Sequence, residues 1–347
     1  MIVSKDKIKT EIDEIEYSYL HEHHQKLERG TVFFDDLIIK GYPHIKRIFS
    51  LRNGVLRNIK SKTLFLEEKI DGFNLRIAIL SGKIFAFSRG GHIDHFSTYK
   101  VREMKKITDF LSANPDYVLC GEMVGNTPYT KPTKKFDVRL FIFDIMRLDG
   151  SFLDVEEKYD ILDSNNIQSV PRLGCFKSND SKSISKVAFS LYKRNAEGIV
   201  IRGELGEVFK HVNANSDLAD IEECASRYFD MPSGFFHQRI LRAAFFASEF
   251  GIKEKDLSKM LGKSFLVPLL TAIKKAKNEK NSFEEFEILI PNESLWLKIK
   301  KQMGNEILIE ETSKRKVSSL LKVRFRKIYR KTSSLLHSYK NGKSIED

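Results

Sequence analysis

Residues 63–212 are cut into short apolar runs at 64–66, 75–80, 84–87, 117–120, 140–145 and 199–202. The runs are rich in β-branched and aromatic residues and are punctuated by Gly or Asp-Gly, the pattern of strands joined by tight turns. Helical spacing interrupts them only near 96–112 and 183–195. Strands that follow one another with so few helices predict an α+β domain built on antiparallel sheets.

The flanks are different. Residues 1–30 have Ile12, Ile15, Tyr19 and Leu20 near helical spacing and end at Gly30, which predicts a polar helix. Residues 31–61 are loop-rich, broken by Gly41-Tyr42-Pro43 and Asn53-Gly54. After Asp217 helical periodicity takes over, as in Ile240, Leu241, Ala244, Phe245 and Ser248. Boundaries near 228 and at Pro291-Asn292 divide the chain into a module at 1–62, a strand-rich domain at 63–228, a helical domain at 229–291 and a basic helical domain at 292–347. Within the last, residues 314–331 carry nine lysines and arginines and no acid. Val317, Leu320, Leu321, Arg324 and Ile328 share one helical face there, which predicts a basic amphipathic helix. Its polar side suits bulk solvent, nucleic-acid phosphate or a membrane surface. Trp296 is expected to anchor a core or an interface, and His21, His23 and His24 are a metal candidate with no placeable partner.

Composition narrows the class of function. The longest apolar runs, such as 140–146, fall short of the roughly 20 residues that a membrane helix needs. The first residues alternate lysines with acids and have no apolar h-region, so no secretory signal is expected. Three widely spaced cysteines without a C-x-x-C pair argue against a disulfide framework or a structural zinc site, and point to a reducing cytoplasm. A net charge of +12 suits polyanions, since each cation that meets a phosphate releases counterions. Charge alone does not separate RNA from DNA, or either from simple solubility.

Chemistry centres on Glu68-Lys69-Ile70-Asp71-Gly72-Phe73-Asn74, between two expected strands. A lysine nucleophile must shed its proton: bringing its pKa from roughly 10.4 to near 7 takes about 4 kcal/mol of differential interaction. Burial at a strand end beside another cation or a metal supplies that. Taken alone, the string also fits an ordinary hairpin with a solvated lysine.

The pattern Lys69-x-Asp71-Gly72-x-Asn74 resembles the first motif of the covalent nucleotidyltransferases: DNA ligases, RNA ligases and mRNA capping enzymes. Further motifs follow in order: Ser88-Arg89-Gly90-Gly91, Gly121-Glu122-Met123-Val124-Gly125, 141–145, 197–202 and Val208-Phe209-Lys210. The strings Gly41-Tyr42-Pro43-His44-Ile45-Lys46-Arg47 and Phe235-Phe236-His237-Gln238-Arg239-Ile240-Leu241-Arg242 are similar to those of the archaeal homodimeric ATP-dependent RNA ligases. That resemblance runs over most of the chain.

It implies an ATP-grasp-like antiparallel-sheet adenylyltransferase domain with a small N-terminal module and a helical C-terminal region. It also implies ATP and Mg²⁺ or Mn²⁺ as cofactors, single-stranded RNA with a 5′-phosphate as substrate, and a homodimer with no membrane role. Lys69, Asp71 and Lys210 would be catalytic. Gly72, Asn74, Arg89, Glu122 and Phe143 would join Lys69 and Lys210 around the nucleotide, and Glu197 with Glu122 would hold the metal. Phe141 and Phe143 alternate on one strand; the resemblance favours Phe143 as the adenine-stacking ring. Asn74 stands where many nucleotidyltransferases have arginine, a variation this family shares. The last motif departs from the fuller K-x-K form, because Val212 follows Lys210 two positions on. One lysine is carried over, and His211, Arg202 or a distant residue is left to supply a second cation. An RNA-capping guanylyltransferase and a catalytically inactive RNA-binding relative are the alternatives.

Overall fold

The computed structural model describes residues 6–9, 15–276, 281–304 and 307–344, with side chains from residue 15 onward. The polar helix expected at the start is not formed where the chain is described. β1 (Asp6–Lys9) and β2 (Glu16–Tyr19) pair antiparallel and continue through β3 (Val32–Phe34) and β4 (Leu37–Ile39) into a four-stranded sheet. Tyr17, Ser18, Tyr19 and Leu20 are all buried, and burial on every side erases the alternation that marks a half-exposed strand. Ile12 lies outside the described residues. Two residues of β5 (Lys46–Arg47) and helix α1 (Leu51–Asn58) then lead into the strand-rich region.

That region follows the expected runs closely. Its elements are β6 (Thr63–Lys69), β7 (Phe73–Leu80), β8 (Lys83–Ser88), α2 (His95–Arg102), α3 (Lys105–Ala113), β9 (Tyr117–Gly125), β10 (Val138–Arg147), α4 (Val155–Ser164), β11 (Arg172–Lys177), α5 (Ser181–Lys193), β12 (Gly198–Gly203) and β13 (Val208–Val212). They form one sheet of order β10-β9-β7-β8 and another of order β11-β6-β12-β13-β5. All the pairings are antiparallel except the short one between β13 and β5. On the five-stranded sheet, Leu64, Leu66, Ile199 and Ile201 pack against Val55 of α1 and Ile184, Ala188 and Leu191 of α5. Alternation then turns Phe65, Glu67, Lys69 and Arg202 to the other face, toward the four-stranded sheet. The cleft lies there.

Helices follow as α6 (Ala214–Cys224), a 3-10 turn (Ala225–Asp230), α7 (Phe235–Phe250) and α8 (Glu254–Ala276). The helical expectation fails beyond them. β14 (Ser282–Ile290), α9 (Glu293–Gln302), β15 (Leu308–Val317), β16 (Leu320–Tyr329) and α10 (Arg330–Lys340) form a three-stranded antiparallel sheet flanked by two helices. The predicted basic amphipathic helix is the β15–β16 hairpin. A division at 291 would separate β14 from β16, with which it pairs over all nine of its residues. Trp296 is a core anchor, as expected. It is buried between Phe325 and the hydrophobic cluster that also holds Leu75, Ile77 and Met123 of the four-stranded sheet. The C-terminal sheet therefore shares its core with the strand-rich domain.

Candidate active site

Lys69 is the last residue of β6, and the chain turns at once through Asp71-Gly72 into β7. A Cβ on Gly72 would lie 2.5 Å from the Met123 carbonyl oxygen and 2.7 Å from Val124 Cγ1. Only glycine lets the turn pass this close to β9. The two sheets then deliver their side chains face to face. From the five-stranded sheet come Glu67, Lys69, Val200, Arg202 and Lys210; from the other come Asn74, Glu122 and Phe143, with Arg89 just past β8. The segment Tyr42-Pro43-x-Ile45 closes the remaining side of the same cavity.

Within it Lys69 Nζ donates to Glu197 Oε2 at 2.7 Å. Glu197 directly precedes β12, where Gly198 pairs with Lys69 in the ladder, so the register itself creates this contact. Asn74 and Glu122 are likewise ladder partners, with Asn74 Nδ2 3.5 Å from Glu122 Oε2. Burial pushes both glutamates up to about 7, Lys69 pulls each back in part, and Asp71 adds repulsion. Burial alone would lower Lys69, but Glu197, Glu122 and Asp71 together hold its pKa above the ordinary value. The depressed amine expected of a nucleophile is therefore absent from the free protein, because acids outnumber cations around it. Lys210 behaves the opposite way: burial together with Lys69, Arg47 and Arg89 lowers it to about 8.

Phe143 owes its place to a β-bulge. The β10–β9 register shifts between Ile142 and Asp144, leaving Phe143 as the extra residue, and such bulges re-aim a side chain. Its ring packs edge-on against Tyr42, at 5.2 Å between centroids, and lines the cavity. Its carbonyl oxygen accepts from Lys158 Nζ at 2.8 Å and Arg202 Nη2 at 3.1 Å. Those cations are bound in turn to the buried carboxylate of Glu67, at 2.6 Å from Lys158 and 2.8 Å from Arg202 Nε. Arg202 also reaches Asp144 at 3.0 Å, and Asp144 accepts from the Tyr42 hydroxyl at 2.7 Å.

Most of the expected residues thus converge. Lys69, Asn74, Arg89, Glu122, Phe143 and Lys210 line one cavity, and Glu197 touches Lys69. Asp71 and Gly72 form the turn beside it rather than the lining. Of the options for a second cation, Arg202 is committed to Glu67 and Asp144. His211 is buried on the far side of β13, its Nδ1 3.1 Å from the Ile48 carbonyl oxygen. Sequence reasoning missed Arg47, which pairs with Lys210 across β5 and β13, and the hub formed by Glu67, Lys158 and Arg202. His21, His23 and His24 lie outside any helix, and among the described residues no group of three or more His, Cys, Asp or Glu is arranged to hold a metal. No described helix is long and apolar enough to cross a membrane.

The two-sheet cleft thus holds a lysine at a strand end among acids, cations and an aromatic ring. Residues 62–212 match the model of the RNA ligase family, and residues 224–343 match the C-terminal region of the ligase Pab1020. Residues 62–212 are thus an RNA ligase domain. An uncharacterized protein of Methanocaldococcus jannaschii is 28% identical over 354 residues, covering 96% of this chain and 89% of that protein. A putative ATP-dependent DNA ligase from Aquifex aeolicus superposes with a TM-score of 0.90 at 28% identity, over 99% of this chain and 96% of that one. An archaeal ATP-dependent RNA ligase shares the fold in two forms. Form 1 has a TM-score of 0.91 at 23% identity, over 98% of this chain and 93% of that one. Form 2 has 0.89 at 24%, over 95% and 91%.

Proposed function

We propose that this ligase joins RNA 5′-phosphate and 3′-hydroxyl ends with ATP, through an AMP carried on Lys69. The observation that supports this reading best is the Lys69 amine, fixed 2.7 Å from Glu197 in a cavity lined also by the Phe143 ring and by the cations Arg89 and Lys210. Adenine would stack on Phe143 with Val200 opposite, leaving the α-phosphate beside Lys69 and Lys210.

Three displacements at phosphorus follow. Neutral Lys69 Nζ attacks the α-phosphorus of ATP, a P–N bond forms, and the P–O bond to pyrophosphate breaks. A 5′-phosphate oxygen of RNA then attacks the same phosphorus and the P–N bond breaks, returning the lysine. Last, a 3′-hydroxyl attacks the 5′-phosphorus, releasing AMP and a proton. Beyond the P–N bond made and broken at Lys69, the protein's part in such transfers is positioning and charge stabilisation. Lys210 and Arg89 would carry that charge.

Before the first step the Lys69 proton must leave, and Glu197, with its raised carboxyl, is the adjacent acceptor. The site's donors suit a divalent ion such as Mg²⁺ or Mn²⁺: Glu122 and Glu197 are hard oxygen donors, and burial makes their negative charge costly until a cation meets it. Such an ion, when bound, supplies positive charge that weakens the amine's hold on its proton and offsets charge on the phosphates.

The test is incubation of the full chain with labelled ATP or GTP and a divalent salt, followed by a 5′-phosphorylated RNA or DNA oligonucleotide. AMP on Lys69, lost in Lys69→Ala, and sealing of RNA are expected. Label from GTP alone, or label that persists in Lys69→Ala, overturns the reading. Preference for the DNA strand corrects its substrate. The family resemblance further supports a homodimer, for which α8 offers exposed Leu266, Val267 and Leu270.

A further inference from the structure

The line of cleft-facing side chains does not stop at Lys210. Glu67 pairs with Val200, Val200 with Lys210, and Lys210 with Arg47. Residues paired across adjacent strands project to the same face, so Arg47 lies one place beyond Lys210, away from the Phe143 end. Its backbone is pinned on both sides. The Ile48 amide donates to the Lys210 carbonyl at 2.8 Å. Glu249 of α7 accepts the amides of Leu51 at 2.7 Å and Arg52 at 3.0 Å, capping α1.

Opposite Arg47 stand Asp217 of α6 and Arg242 of α7. Arg242 takes one oxygen of the buried carboxylate, Asp217 Oδ1, with Nε at 2.9 Å and Nη2 at 2.7 Å. The other oxygen, Oδ2, is 3.7 Å from Arg47 Nη1, beyond hydrogen-bond reach, and both of those atoms are buried without a hydrogen-bond partner. Two guanidinium groups thus share one carboxylate and leave one positive charge in excess beside Lys210. Glu197, the next acid, is already engaged by Lys69. A buried donor without an acceptor is costly, and Arg47 keeps a partly open side chain, 23% exposed, through which an anion can arrive.

We propose that Arg47 and Arg242 form a phosphate subsite beside Lys210, on its side away from the base pocket, that takes a terminal phosphate dianion. The inference rests on the lysyl-AMP reading above. A guanidinium fork matches phosphate oxygens in pairs, which suits it to a terminal group better than a lysine would. Two reaction partners present such a group next to the α-phosphate: the pyrophosphate end of ATP, and the 5′-phosphate of the RNA.

The test compares full-length wild type with Arg47→Met and Arg47→Lys in three measurements. These are the KM for ATP in self-adenylylation, the affinity for inorganic pyrophosphate by calorimetry, and the KM for 5′-phosphorylated RNA in AMP transfer from pre-adenylylated enzyme. If ATP supplies the occupant, Arg47→Met raises the ATP KM and weakens pyrophosphate binding by about 10- to 100-fold, as loss of a charge-assisted hydrogen bond does. If RNA supplies it, the same factor falls on the RNA KM instead. Arg47→Lys, which keeps the charge and the fold, recovers part of either loss. Wild-type values in all three measurements for Arg47→Met overturn the subsite, as does a fall in melting temperature with no change in any of the three: Arg47 is then only a bracket between β5 and α6. Failure of wild type to take up AMP at all would instead sink the functional reading.

Discussion

Lys69 carries the sharpest tension at the scale of single residues. As the proposed nucleophile it needs a free amine, yet three nearby acids raise its pKa, and Glu197 touches it. Glu197→Gln removes the closest of them. It should therefore raise the reactivity of Lys69 toward a small acylating reagent at pH 8 while cutting adenylylation by about 100-fold or more. Competitive labelling with mass spectrometry reads the first effect, and unchanged labelling would mean that the ion pair does not control the proton. Lys210 titrates with the opposite sense. Burial and its cationic neighbours set it at about 8, so its positive charge is complete below that pH and lost above it. In the free enzyme kcat/KM for adenylylation should then decline above about pH 8. Arginine stays charged throughout, so Lys210→Arg should move that decline upward; an identical alkaline limb would show that another group causes it. Lys69, the two glutamates and Lys210 could be picked from the sequence as candidates that meet in one place because each sits in a short string at a strand end. Arg47 could not, since its meaning depends on a parallel pairing with Lys210, 163 positions further along the chain.

Among the elements, the cleft sheets are held at a fixed distance by the Glu67 hub. Glu67 comes from β6, Arg202 from β12, Lys158 from α4 and the Phe143 carbonyl from β10. Burial alone would raise Glu67, but Arg202 and Lys158 outweigh it and bring the carboxyl down to about 2. A lowered acid contributes stability that is present above its unfolded value of 4.5 and is lost as pH falls toward 2. Glu67→Gln takes the anion from buried Lys158 and leaves Arg202 with Asp144 alone, and should cost about 3–5 kcal/mol at neutral pH. Its denaturation curves should also lose part of their dependence on pH between 4.5 and 2, the rest staying with carboxylates such as Glu207 and Glu287; an unchanged wild-type acid limb would place all of that dependence on those other groups. Sequence patterns showed strands where short apolar runs are buried on both faces, as in β7, β8 and β12. They failed in the C-terminal sheet, where Val317, Leu320, Leu321, Arg324 and Ile328 suggested a helix by coincidence of spacing. In β16 the true period is two: Val323 and Phe325 are buried, while Lys322 and Arg324 pair with Glu287, and Arg326 with Glu285, both on β14. The acids that neutralise this basic run lie about 40 positions earlier in the chain, as the Arg326–Glu285 pair does at 41, so a local window sees only the cations.

Over the whole molecule, the pairing within the C-terminal sheet limits where its charge can act. Lys322, Arg324 and Arg326 already face carboxylates, so the nine cations of 314–331 overstate what that sheet offers to a polyanion. Assembly is a separate matter, set by apolar surface. Leu266, Val267 and Leu270 are each more than half exposed on α8, and positions three and four apart form one stripe along a helix. An exposed apolar stripe is a poor surface to leave in water, and in a two-fold dimer the same stripe from each copy covers the other. Leu266→Glu together with Leu270→Glu would place four carboxylates in such an interface. Sedimentation at micromolar concentration should show wild type at twice the chain mass of 40.2 kDa and the double variant at that mass. Both substitutions sit on α8, which supplies none of the residues that line the cleft, so self-adenylylation should persist in the monomer. A wild-type monomer would remove the dimer from this account without touching the chemistry at Lys69, whereas a dimer that survives both glutamates would move the interface to another face.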